Sequence, residues 1–168
     1  YQQSLDNINL KGMGTTITVV CVIDNMAYIA HLGDSRVYLC RNDQTTPLTR
    51  DHDRVSELLE SGLITQEEYD THPDRGVLSK ALGVNQKCPM PTIDQIELQN
   101  QDTLMLCTDG AYACFERDLD LLSRMISIQH VLYGARNIVG YAVENYGQDN
   151  ATVMLGRYIE ETSEAVHN

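Results

Sequence analysis

Three aspartates stand where the chain changes character. Asp34 follows the apolar run Ala27–Leu32, Asp109 follows Thr103–Cys107, and Asp149 precedes Ala151–Leu155. If these runs are antiparallel neighbours in a sheet, the end of one lies beside the start of the next, and the three carboxylates meet at one edge. Carboxylates gathered at low dielectric repel one another and stay ionised when a cation sits between them. Oxygen ligands select a hard divalent cation, Mg²⁺ or Mn²⁺, holding several waters. Two such ions make a hydroxide nucleophile at neutral pH and clamp an in-line phosphoryl transfer. Each aspartate also has a plain structural reading, because Asp-Gly and Asp-Asn are common turn pairs and turns fall at strand ends. Spacing alone leaves both readings open.

The elements that must position these residues belong to a chain of 168 residues, 42% of them hydrophobic, with 12 basic and 24 acidic side chains and a formal net charge of −12. That length suits a single domain with a sizeable core. The negative charge argues against nucleic acid or an anionic membrane as partner. No apolar run approaches the roughly 20 residues that cross a bilayer. The start, Tyr1-Gln2-Gln3-Ser4, has neither a signal-peptide pattern nor an initiating Met, so a processed chain or a piece of a longer one is expected. Five cysteines, an odd number with no CxxC pair, read as reduced thiols of a cytoplasmic protein. Cys21, Cys40 and Cys107 sit inside strand-like runs and are expected to be buried.

Thr15–Ile23 is a β-branched run that suits a strand buried on both faces. Asp24-Asn25 turns it into Ala27–Leu32, giving an antiparallel hairpin. Val37–Cys40 resumes strand character, and Arg41–Gln44 is a polar turn. His52–Ser61 and Thr65–Thr71 read as short helices, the second with the capping-box spacing of Thr65 and Glu68. Pro47–Gly83 is thus an excursion from the sheet, a flap. Ile93–Leu98 alternates as a half-exposed strand, and Thr103–Cys107 is a buried one. Leu119–Ile128 and Val131–Asn145 read as helices, with Leu132, Ala135, Ile138, Val139, Ala142 and Val143 on one face of the second. Ala151–Leu155 closes the series. Both ends, Tyr1–Lys11 and Glu160–Asn168, are polar and expected to fray. The fold class is α+β with mostly antiparallel sheets.

Six motifs occur in order: Gly12-Met13-Gly14-Thr15-Thr16, His31–Tyr38 (HLGDSRVY), Leu48–His52 (LTRDH), Leu78–Gly83 (LSKALG), Asp102–Gly110 (DTLMLCTDG) and Gly147–Val153 (GQDNATV). From Gly12 to about Leu155 this series resembles the metal-dependent protein phosphatases of type 2C, most nearly their bacterial-type members. The resemblance implies two packed antiparallel β-sheets flanked by helices, within one N-terminally incomplete catalytic domain over 1–168 and a flap subdomain at about 47–85. It implies Mg²⁺- or Mn²⁺-dependent hydrolysis of phosphoserine and phosphothreonine by a metal-activated water. Asp109 and Asp149 match ligands of a two-metal centre, and Asp34 matches a carboxylate that shares a third metal with Asp109 in some bacterial members. Phosphoprotein substrates and a cognate Ser/Thr kinase pathway are the implied partners.

The family's N-terminal motifs do not occur in this sequence. They comprise a phosphate-gripping arginine with an acidic residue near it, and an Asp-Gly-x-x-Gly-His-type motif that supplies a bridging aspartate and a candidate general-acid histidine. His31 and His52 lie in no such motif, and His31 reads as a sheet residue. The sequel to Asp109, Ala111-Tyr112-Ala113-Cys114-Phe115, also departs from the family pattern. Two ligands without a bridging aspartate make a weak site, and a phosphate meets an acidic surface. The chain alone is therefore expected to be a poor catalyst. The sequence leaves open a phosphatase seen in part, a catalytically silent phosphatase-like binding module, and a homodimer that covers exposed sheet edges.

Overall fold

The computed structural model describes residues 2–84 and 87–160. Two antiparallel sheets form the centre. The first has the order β1–β2–β5, from Ile17–Ile23 (β1), Met26–Leu32 (β2) and Thr92–Glu97 (β5). The second has the order β4–β3–β6–β7, from Arg36–Arg41 (β3), Gln44–Pro47 (β4), Thr103–Cys107 (β6) and Val153–Arg157 (β7). The helices are α1 (Gln2–Asp6), α2 (Arg54–Glu60), α3 (Gln66–Thr71), α4 (Asp109–Tyr112), α5 (Leu119–Ile126) and α6 (Val131–Asn145).

Local chemistry explains the joints. The β1–β2 hairpin turns at Asp24, whose φ of +54° is tolerated by a short polar side chain. In the β3–β4 hairpin both loop residues, Asn42 (φ +51°) and Asp43 (φ +61°), are left-handed, which matches a type I′ turn and the sheet's twist. This hairpin corrects the sequence reading, which ended at a polar turn and missed β4. Asp53 caps α2 through Val55 N and Ser56 N, and Thr65 with Glu68 closes the expected capping box on α3.

Alternation along β3 and β6 feeds two cores. Val37, Leu39 and Leu104 face the first sheet and pack with Ala27 and Ile29. Tyr38, Cys40, Met105 and Cys107 face the other way, onto Ala111, Phe115, Leu122, Ile126 and Ile138 of the helical layer. Every described residue of the second sheet's centre is thus sandwiched.

β1 corrects a second expectation. It is buried on one face at most: Val20 packs inward, while outward Ile17, Val19 and Ile23, and also Val22 at the hairpin end of the inward face, are all more than 40% exposed. The reason is that the outward face of β1, β2 and β5 meets no further layer among the described residues. Cys21 is accordingly exposed, contrary to its expected burial, whereas Cys40 and Cys107 are buried. Residues 2–10 are not frayed coil but α1 followed by a turn of 3-10 helix capped by Asn7. The expectation for the C-terminal end falls mostly outside the described residues. Among these residues no helix is long and apolar enough to cross a membrane.

Candidate active site

Register brings the three aspartates to one place. Arg36 at the start of β3 pairs with Cys107 at the end of β6, and Cys107 pairs with Val153 at the start of β7. Asp34 lies two residues before β3, Asp109 two residues after β6, and Asp149 four residues before β7. All three stand at the same end of three adjacent strands. Thr108 extends the β6–β7 pairing past the last ladder rung: its N–H donates to Thr152 O (3.1 Å) and its Oγ1 accepts from Thr152 N (3.0 Å). Gly110 completes the approach. A Cβ there would lie 2.5 Å from Asn150 O and 3.2 Å from Asp149 Cβ, so only glycine lets the Asp109 and Asp149 loops close on each other.

Asp34 senses this convergence. Burial, followed by the charge of Asp109, pushes the Asp34 carboxyl up to about 6. Asp34 and Asp109 line one cleft of about 400 Å³, while Asp149 is exposed at its neighbouring loop. The set is all oxygen and its two half-buried members repel, which fits a hard divalent cation in donor type and charge. Among the described residues, however, no three His, Cys, Asp or Glu side chains are gathered tightly enough to hold one ion. Asp34 and Asp109 form one interacting pair, with the Asp149 loop packed beside it at Gly110.

A charged network that sequence reasoning did not assign underlies the cleft. Arg36 of the GDSR motif donates two hydrogen bonds to Asp51 of the LTRDH motif, Nε to Oδ1 at 2.8 Å and Nη2 to Oδ2 at 2.7 Å. Its guanidinium lies over the Tyr112 ring, 3.6 Å from the centroid, and Nη1 donates to the Tyr38 hydroxyl. Burial is the largest influence on Arg36 and opposes its charge, but the Asp51 hydrogen bonds together with the Tyr38, Tyr112 and Asp51 charges outweigh it and hold the group above its ordinary value. Burial also raises the Tyr112 hydroxyl, and it pushes the Cys107 thiol up to about 12, so that sulfur is no nucleophile. The signal for Arg36–Asp51 was present as two ordered motifs, but only the fold shows that they meet.

The histidines form a separate feature. His31 and His52 stack with centroids 4.4 Å apart and planes 8° apart. His52 Nδ1 accepts from Gly33 N–H, which leaves its Nε2–H to donate to Thr92 Oγ1 (2.8 Å). His31 Nε2–H donates to Arg50 O (2.7 Å), and its buried Nδ1 has no partner. The sheet reading of His31 holds, with one ring nitrogen satisfied. Neither histidine lines the cleft of Asp34 and Asp109.

Comparison with known proteins accords with this geometry. The family profile described as Protein phosphatase 2C matches residues 2–119. The chain is similar to protein phosphatase PhpP of Streptococcus pneumoniae, 34% identical over 156 residues, which cover 92% of this chain and 62% of that protein. It superposes on the Mycobacterium tuberculosis serine/threonine phosphatase PstP/Ppp with a TM-score of 0.83 at 31% identity, over 95% of this chain and 66% of that one. The catalytic domain of PstP in complex with two manganese ions gives a TM-score of 0.81 at 29% identity, over 95% of this chain and 65% of that one. The chain spans about three-fifths of the length of the PhpP relative it matches. Its ordered motifs, two-sheet core and matched length show that the chain belongs to the protein phosphatase 2C family.

Proposed function

We propose that this chain serves the metal-dependent hydrolysis of phosphoserine and phosphothreonine in proteins. The observation that carries the reading is the register that sets Asp34, Asp109 and Asp149 at one end of β3, β6 and β7. Asp109 and Asp149 would hold Mn²⁺ or Mg²⁺, with Asp34 sharing a further ion with Asp109. When bound, such ions supply a water of lowered pKa and neutralise charge on the phosphoryl oxygens. The chain's own residues do the positioning. Gly110 seats the Asp149 loop against the Asp109 turn. Arg36, Asp51 and Tyr112 fix the floor beneath Asp34 and Asp109. The buried thiols Cys40 and Cys107 suit a reducing cytoplasm, and a Ser/Thr kinase pathway would set the phosphoprotein substrates.

Low turnover is the expected outcome for these 168 residues, because no three of the described side chains close on one ion. A second reading, a module that binds without catalysis, draws on the same absence of a closed triad among the described residues. Titration with Mn²⁺, followed by electron paramagnetic resonance, tests the first reading. Binding is expected, weakened at least about tenfold in Asp109→Asn. A chain that binds no Mn²⁺, or binds it equally well in that variant, ends the proposal. Turnover of a phosphothreonine peptide then separates the two readings: slow, EDTA-sensitive release of phosphate supports catalysis, and none supports the silent module.

A further inference from the structure

Beside the acidic pair, the same cleft carries a second group of charges. Glu116 stands between two guanidinium groups: Oε1 accepts from Arg36 Nη2 at 3.0 Å and Oε2 from Arg75 Nη2 at 3.0 Å. Arg36 is already engaged by Asp51, but Glu116 is the only carboxylate paired with Arg75 among the described residues. The Arg75 guanidinium otherwise rests 4.9 Å from the Tyr69 ring centroid. The side chains of Arg75 and Glu116 are 36% and 28% accessible, so water and solutes reach the pair. Arg117 lines the same cleft, is exposed, and has no ion-pair partner among the described residues. Three arginines thus border one cleft beside five carboxylates, and of the three only Arg75 and Arg117 are free of Asp51.

We propose that Arg75, with Arg117 beside it, is a subsite for an anionic group on the substrate peptide, and that Glu116 occupies that subsite in the free protein as a built-in competitor. The identity of the ligand rests on the phosphatase reading: a phosphopeptide with a second negative group near the phosphorylated residue. A carboxylate or phosphate on the peptide presents to Arg75 the same acceptor geometry that Glu116 presents. A partly exposed ion pair contributes little net stability, so exchanging one anion for another is inexpensive. Occupation by Glu116 lowers the fraction of molecules ready to bind, and the apparent affinity falls by that fraction. Arg75 follows α3 and Glu116 follows α4, so the exchange replaces an internal tie between these segments with one made by the substrate. Selectivity follows: peptides with a flanking negative charge displace Glu116, and peptides with a neutral flank do not.

The test is peptide binding in EDTA at low salt, read by fluorescence anisotropy, so that neither metal nor turnover enters. Three labelled phosphothreonine peptides share one sequence, with a neutral flank, a flanking Glu, or a second phosphothreonine. Glu116→Gln should tighten both anionic-flank peptides about tenfold and leave the neutral one within about twofold. Adding Arg75→Gln should remove the gain. The two anionic peptides show whether the subsite prefers a carboxylate or a phosphate. Glu116→Asp, which keeps the charge but shortens the reach, should fall between the parent chain and Glu116→Gln, and thermal unfolding verifies that each variant is folded. The proposal is overturned if Glu116→Gln changes nothing, tightens all three peptides equally, or keeps its gain without Arg75. Failure to bind Mn²⁺ would sink the phosphatase reading and leave this result standing.

Discussion

The central strands of the four-stranded sheet, β3 and β6, are packed on both faces, by helices on one side and by the partner sheet on the other, whereas among the described residues the three-stranded sheet is packed on one. Their strands look alike in composition. β1 is as β-branched as any segment of the chain, yet Val19 and Ile23 are about half exposed while Val37 and Met105 are fully buried. The difference teaches that an apolar strand records a capacity for burial, and that the layers around it decide whether the capacity is used. It also explains where the site lies. Asp34 and Asp109 border β3 and β6, the strands packed from both sides.

Substitutions on the two sheets should separate this contrast. The largest effect is expected in the helical layer: Phe115, fully buried and 5.2 Å from the Tyr141 ring, should cost about 3–5 kcal/mol when changed to Ala, measured by urea unfolding. A retained midpoint would show that the helices do not clamp the second sheet. Between the sheets, His52 ties Gly33 and Thr92 to the segment before α2. Burial, then the neighbouring His31 and Lys80, lowers His52 to about 4 from its ordinary 6.5. Between these values the unfolded chain binds a proton that the folded one refuses, so stability falls as pH drops from 6.5 towards 4. The slope is at most about 1.4 kcal/mol per pH unit. Thermal melts of the parent chain and His52→Asn across that window should converge as pH falls, and parallel curves would exclude the mechanism. The smallest effect belongs to the bare face: Ile93, 70% exposed, should tolerate Thr within about 0.5 kcal/mol. A larger loss would mean that this face is covered in solution.

Much of the fold was legible because local signals agreed with it. Thr103–Cys107 and Val131–Asn145 were read with the bounds that the structure gives, each being periodic or apolar and closed by turn chemistry. β4 was not legible, since Thr45 and Thr46 are flanked by Gln44 and Pro47 and pair only because Asn42-Asp43 folds them back on β3. At the site, the aspartates were found from their strand-end positions. Arg36 and Asp51 lie in ordered motifs, but nothing local in the sequence marks them as partners. Glu116 and Arg75 gave no signal, as they are 41 positions apart and meet only across the cleft.

The sequence by itself determined the α+β class, the ordered motifs and the three carboxylates at strand ends, because these depend on side-chain type, period and turn preference over a few residues. Only the tertiary structure decided that the aspartates stand at one end of three adjacent strands, that Glu116 bridges two arginines, and that among the described residues one sheet keeps a bare face. Those outcomes depend on which distant segments become neighbours, and strand register and layer packing set that.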